Sequence, residues 1–107
     1  MALNQVRGWL ICYDIRDNRR LSRLHRFLKS HAVPIQYSVF CYQGSAAQLG
    51  RLVREMESRI DRKADDVRVY QLPEQPHFEG LGTRSFPEGV LIQSALNASL
   101  PHLVGNR

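Results

Sequence analysis

The sequence is short of cysteine, of long apolar runs and, in its first third, of acid. Its two cysteines, Cys12 and Cys41, lie inside apolar runs, so each reads as a buried thiol rather than part of a disulfide framework. Two cysteines cannot build a cysteine zinc site, and His25, His31, His77 and His102 show no metal-ligand spacing. No stretch approaches the roughly 18 apolar residues of a membrane-spanning helix. The opening Met1-Ala-Leu-Asn-Gln5 lacks the basic start and apolar core of a signal peptide. These absences lead to the expectation of a cytoplasmic protein with no membrane partner. Repeats and low-complexity tracts are also absent. A chain of 107 residues makes one domain with a modest core, for which pairing with a second copy is an economical source of stability.

The shortage of acid is local. Residues 1–35 hold seven basic side chains against Asp14 and Asp17, an excess of five that equals the net charge of +5 for the whole chain. Six of the seven are arginine, whose forked guanidinium suits phosphate oxygens. A polyanion partner follows. The plainer alternative is a solvated helix face, but such faces normally interleave both signs, and this one does not.

In chain order, Val6 to Ile15 is nearly continuously apolar from Trp9 to Tyr13 and predicts a central strand. Asp17 is a good N-cap for a helix over 18–30, with Leu21, Leu24, Phe27 and Leu28 on its buried stripe. At about 100° per residue, Arg19, Arg23 and Arg26 fall together on the opposite face and Arg20 lies to one side. Ala32-Val33-Pro34 breaks the helix, and 35–42 predicts a second strand with Gln36, Ser38 and Phe40 on one face. Either a further strand lies between 35 and 44 or this one bends. Gly44-Ser45 is a turn and cap, and a second helix is expected over 46–62 on the stripe Leu49, Leu52, Val53, Met56 and Ile60. Asp65-Asp66, read as a cap or turn in preference to a metal site, opens a strand over 67–72. Short apolar pieces at 84–86 and 90–92 could each pair as an edge strand, and the chain from Ser94 resembles a tail.

This order predicts an α+β fold of the ferredoxin-like βαββαβ kind, an antiparallel sheet with two helices on one face. Residues 1–73 form the core. Residues 74–107 supply an extra C-terminal strand and tail, part of the same domain or pairing with a partner. With nothing left in the chain to cover the other face, a homodimer through the sheets is expected. A strand that ends on Asp14 and turns into an arginine-lined helix sets a candidate metal ligand beside a phosphate-binding surface.

The run Tyr13-Asp14-Ile15-x-Asp17-x-Arg19-Arg20-Leu21-x-x-Leu24-x-x-x-Leu28, followed by Gln36-x-Ser38-Val39-Phe40, resembles the small CRISPR-associated adaptation protein of the Cas-two type. Asp66-Val67-Arg68-Val69-Tyr70 fits the strand after the second helix in that family, so the match spans about 6–72. The resemblance implies a ferredoxin-like homodimer that joins a CRISPR-associated integrase in spacer acquisition. There it would bridge the integrase dimers and bind the prespacer duplex DNA by its backbone. It also implies metal-dependent endonuclease activity, on single-stranded RNA or double-stranded DNA, with Mg²⁺ or alternatively Mn²⁺. Asp14 takes the position of the catalytic and metal-binding aspartate, brought near its counterpart in the dimer. Arg16, Arg19, Arg20, Arg23 and Arg26 become nucleic-acid contacts, with Tyr13, Asp17, Ser38 and Phe40 in support. A non-catalytic DNA-binding subunit is the alternative. The sequence departs from the family pattern in having no glycine between the first helix and second strand, and in placing Cys41 where an acid often follows the Val-Phe pair.

Overall fold

A computed structural model describes residues 4–82. Among them are four strands and two α-helices: β1 (Arg7–Asp14), α1 (Asn18–Lys29), β2 (Val33–Gln36), β3 (Val39–Gly44), α2 (Ala46–Glu57) and β4 (Asp66–Gln71). The sheet order is β2-β3-β1-β4 and every neighbouring pair is antiparallel, which is the expected ferredoxin-like plan. β1 is central, pairing with β3 from Arg7↔Gly44 to Cys12↔Val39 and with β4 from Trp9↔Gln71 to Asp14↔Asp66.

The expected second strand is two strands. Gln36 and Val39 are partners across a two-residue turn, Tyr37-Ser38, in which Ser38 has φ 69°. A tight hairpin needs such a left-handed residue to match the strand twist. Ser38 is thus in the turn and not on a strand face. The second helix stops at Glu57 instead of reaching Arg62. The Ser58 hydroxyl and Arg59 guanidinium both donate to the Glu55 carbonyl, at 2.8 and 2.7 Å, and satisfy it where a further helical turn would have. At the other end Ser45 and Gln48 form a reciprocal capping box.

One face of the sheet carries both helices. Ile11 and Tyr13 of β1, Phe40 of β3, Leu24 and Leu28 of α1, and Leu52 and Met56 of α2 form a single buried cluster, joined by Ile15. Alternation along the strands sends Leu10, Cys12 and Asp14 to the opposite face, with Val39 and Cys41 of β3 and Asp66, Arg68 and Tyr70 of β4. The chain itself covers part of that face, contrary to the expectation that nothing would be left to do so. Leu72 and Phe78, beyond β4, pack with Val33 and Ile35 against the fully buried Cys41. The first part of the 74–107 segment therefore rests on the same sheet, while the expected strands at 84–86 and 90–92 and the tail lie outside the described residues.

Candidate nucleic-acid interface

Three connections meet at one pole of the domain: the β1–α1 turn, the Tyr37-Ser38 hairpin tip and the loop from α2 into β4. Asp14 ends β1 at this pole and is exposed. The next residue, Ile15, is buried and anchors the corner from below. Asp17 then caps α1, its carboxylate accepting the Arg20 N–H at 3.0 Å.

The corner is fastened by Asp65. One carboxylate oxygen accepts the Arg16 backbone N–H at 2.9 Å and an Arg20 guanidinium N–H at 3.1 Å. The other accepts the Arg20 Nε–H and the Asp61 backbone N–H, both at 2.8 Å. The Asp65 side chain has no exposed surface. The Arg20 hydrogen bond above all, with the two backbone N–H groups, holds its carboxyl well below the usual carboxylate range, against the opposing effect of desolvation. The anion is thus fixed between two segments 49 residues apart in the chain. Sequence reading took Asp65 for a turn residue, and no periodicity in the chain marks its partner.

Arg20, expected as a nucleic-acid contact, therefore has its fork engaged with Asp65. Arg16, Arg19, Arg23 and Arg26 are exposed, with no acid in the first turn of α1 to offset them. Along the helix Arg19 to Arg26 covers about 10 Å at 1.5 Å per residue.

Tyr13 and Phe40 are interior. Their rings stack at 6.2 Å, and the His25 ring meets Phe40 edge-on at 5.3 Å. Burial, with a smaller contribution from Tyr37, pushes the Tyr13 hydroxyl pKa upward. Protonated, that hydroxyl donates to His25 Nδ1 at 3.1 Å in the tautomer carrying hydrogen on Nε2. Tyr13 and Phe40 are buried and shape the floor under the corner. The Ser38 carbonyl accepts the Tyr13 N–H at 3.1 Å, which ties the hairpin tip to the end of β1.

On the helix-free face Asp14 and Asp66 are register partners. Directly opposite residues of an antiparallel pair have Cβ atoms about 4.5–5.5 Å apart, so two carboxylates stand side by side. Arg68 pairs with Asp66 at 3.0 Å. No group of three or more His, Cys, Asp or Glu capable of holding a metal occurs among the described residues. Two adjacent carboxylates with open solvent fit Mg²⁺, which keeps several waters and takes one or two carboxylates. The sequence reading preferred a cap or turn to a metal site for Asp65-Asp66, because only strand register brings Asp66 to Asp14.

The profile of the family described as CRISPR associated protein Cas2 matches residues 8–79. A protein of Nitrosomonas europaea named CRISPR-associated endoribonuclease Cas2 1 is 48% identical over 82 residues, covering 77% of this chain and 78% of its own. One of Thermodesulfovibrio yellowstonii, named CRISPR-associated endoribonuclease Cas2 2, is 40% identical over 83 residues, covering 77% and 91%. Among solved structures, a hypothetical protein of Thermus thermophilus superposes with a TM-score of 0.71 at 31% identity, covering 78% of this chain and 100% of that one. Streptococcus pyogenes Cas2 superposes with a TM-score of 0.64 at 26% identity, covering 70% and 99%.

Proposed function

The chain belongs to the CRISPR-associated Cas2 family, and on that premise we propose that it is a metal-dependent endoribonuclease acting at the Asp14 pole. The observation that carries the reading is the exposed Asp14, beside Asp66 on one sheet face and at the pole where the exposed row Arg16, Arg19, Arg23 and Arg26 begins. The names of the relatives, endoribonucleases, support RNA as the substrate. The arginines hold the sugar-phosphate backbone and orient the scissile phosphate toward the sheet. Arg16, nearest Asp14 in the chain, offsets charge developing on the phosphoryl oxygens. Asp14 and Asp66 would hold Mg²⁺, or Mn²⁺ in its place, and Asp14 of a second copy would add a third carboxylate. Bound there, the metal supplies Lewis-acid polarisation of the phosphate and a more acidic water. Asp17, Ser38, Tyr13 and Phe40 act through position: they cap α1, tie the hairpin to β1 and fill the floor.

A homodimer through the helix-free faces is supported by what remains open there. Tyr70 is 51% exposed on that face, and Leu10, Cys12 and Val39 are only half-buried. Membership of the family and the arginine row also favour a second, non-exclusive role. In it the dimer bridges CRISPR-associated integrase subunits and holds duplex prespacer DNA by its phosphates during spacer acquisition. No helix among the described residues is long and apolar enough to cross a membrane.

The test is cleavage of labelled single-stranded RNA and duplex DNA, with and without Mg²⁺, by the wild type and Asp14→Asn together. Metal-dependent RNA cutting lost in the variant supports the nuclease. Equal cutting by both proteins sinks it. No cutting by either, with duplex binding intact in both, leaves the bridging role.

A further inference from the structure

Tyr37 is unexplained by the role assigned to the pole. Its side chain is 78% exposed at the first position of the β2–β3 turn, whereas the other aromatics near the corner, Tyr13 and Phe40, are buried. The turn is an unusual place for it. Two-residue hairpins favour asparagine, aspartate or glycine. Here an aromatic is followed by Ser38 at φ 69°, a conformation that non-glycine residues seldom adopt. The tip is also tightly placed. Gln36↔Val39 closes the hairpin, and the Tyr13 N–H to Ser38 carbonyl bond holds it against the end of β1. Cys12 pairs with Val39, so continuing that ladder carries Asp14 toward Tyr37. Asp14 therefore lies between the hairpin tip on one side and Asp66 on the other.

The hairpin tip stands at the same pole as the β1–α1 turn, where Arg16 is exposed and where α1 begins, its outer face carrying Arg19, Arg23 and Arg26. A strand held by its phosphates on those arginines has its bases free to turn toward the hairpin. An exposed aromatic on a tightly held turn at the same pole as a basic row is what an unpaired base recognises, because every base has a π-face and a duplex base does not leave its stack without cost.

We infer that Tyr37 is a stacking platform for one unpaired nucleobase adjacent to the Asp14 pole, selecting single-stranded over duplex nucleic acid. The inference rests on the arginine face being a nucleic-acid surface and adds the ring that distinguishes the two forms of ligand.

The experiment measures dissociation constants by fluorescence anisotropy, in EDTA to prevent cleavage. The ligands are a labelled 12-nucleotide RNA strand, the same strand annealed to its complement, and the strand with one abasic position moved along its length. Wild type is compared with Tyr37→Ala and Tyr37→Phe. Loss of one base–aromatic stack weakens binding roughly 5- to 100-fold, so Tyr37→Ala should show that loss on the single strand. It should bind the duplex within about twofold of wild type, and Tyr37→Phe should match wild type on both. The dependence on salt should be the same in all three proteins, because stacking displaces no counterions. One abasic position should reproduce the loss in the wild type and cost nothing further in Tyr37→Ala.

Equal weakening of single strand and duplex by Tyr37→Ala would overturn the inference, as would no weakening of either. A shift in the elution volume of Tyr37→Ala on size-exclusion chromatography, accompanying the RNA loss, would assign the ring to contact with a second copy and also overturn it. Failure of the wild type to bind any of the three ligands would instead overturn the nucleic-acid surface on which the inference rests.

Discussion

Asp65→Asn isolates the anion that fastens the β1–α1 corner to the loop before β4. Asparagine keeps the shape of the side chain and removes the charge. Each Asp65 oxygen accepts one backbone N–H and one guanidinium N–H. Whichever way the asparagine amide is turned, its NH₂ faces two donors, and one of them is the backbone N–H of Arg16 or Asp61. Arg16 and Asp61 are exposed residues, so the orphaned donor can turn partly to water and its loss lies toward the lower end of the about 1–3 kcal/mol of a buried one. The displaced guanidinium hydrogen bond adds less, because the Arg20 side chain can also turn to water. The variant should thus lose about 1–2 kcal/mol. At an m-value of about 1–1.5 kcal/mol/M for a domain of this size, the urea midpoint should fall by roughly 1 M. Both proteins are unfolded in urea at one fixed concentration, followed by far-UV circular dichroism, so that any association contributes equally. The pH dependence supplies the sign. The folded-state pKa of Asp65 is depressed below its ordinary 3.8, so its contribution is complete above that value and is lost as pH falls toward the folded pKa. The gap between the two proteins should be constant from pH 7 to pH 5 and narrow below about pH 3.8. A loss under 0.5 kcal/mol, or a gap that stays unchanged at pH 3, would refute the anion clamp.

Four further outcomes follow from the same geometry. Arg19→Glu with Arg23→Glu should weaken duplex binding and flatten the slope of log K against log salt by about two, at roughly 0.9 per lost phosphate contact, as titrations at several salt concentrations will register. Phe40→Ala removes a fully buried ring from between Tyr13 and His25; thermal melting should show a loss of about 3–5 kcal/mol, and Phe40→Leu should lose much less. Ser45→Ala deletes one half of the α2 capping box, worth about 1 kcal/mol in the same assay. Burial pushes the Cys41 thiol up to about 11, so Cys12 should react first with a thiol reagent at pH 8. Because the Cys41 pKa is raised on folding, its contribution holds below its ordinary 9.0 and is lost as pH rises toward about 11.

Much of this protein is written in local pattern. The helical stripe of Leu21, Leu24 and Leu28, the Asp17 cap and the one-sided arginines all depend on neighbours three or four residues away, so the sequence alone determined α1 and its charged face. The apolar run ending on Asp14 determined the central strand in the same way. The Tyr37-Ser38 turn was masked by a continuous β-prone stretch from 35 to 42, because Ser38 has neither the flexibility of glycine nor any local mark of its positive φ. The early stop of α2 was hidden because Ile60 continues the stripe while Ser58 and Arg59 turn back onto Glu55. Only tertiary structure decided that Arg20 faces Asp65, that Asp66 stands beside Asp14, and that Phe78 returns to cover Cys41. Each of these joins residues far apart in the chain. Such a pairing has no periodic signature, because its partner is chosen by strand register and loop closure and not by spacing along one element.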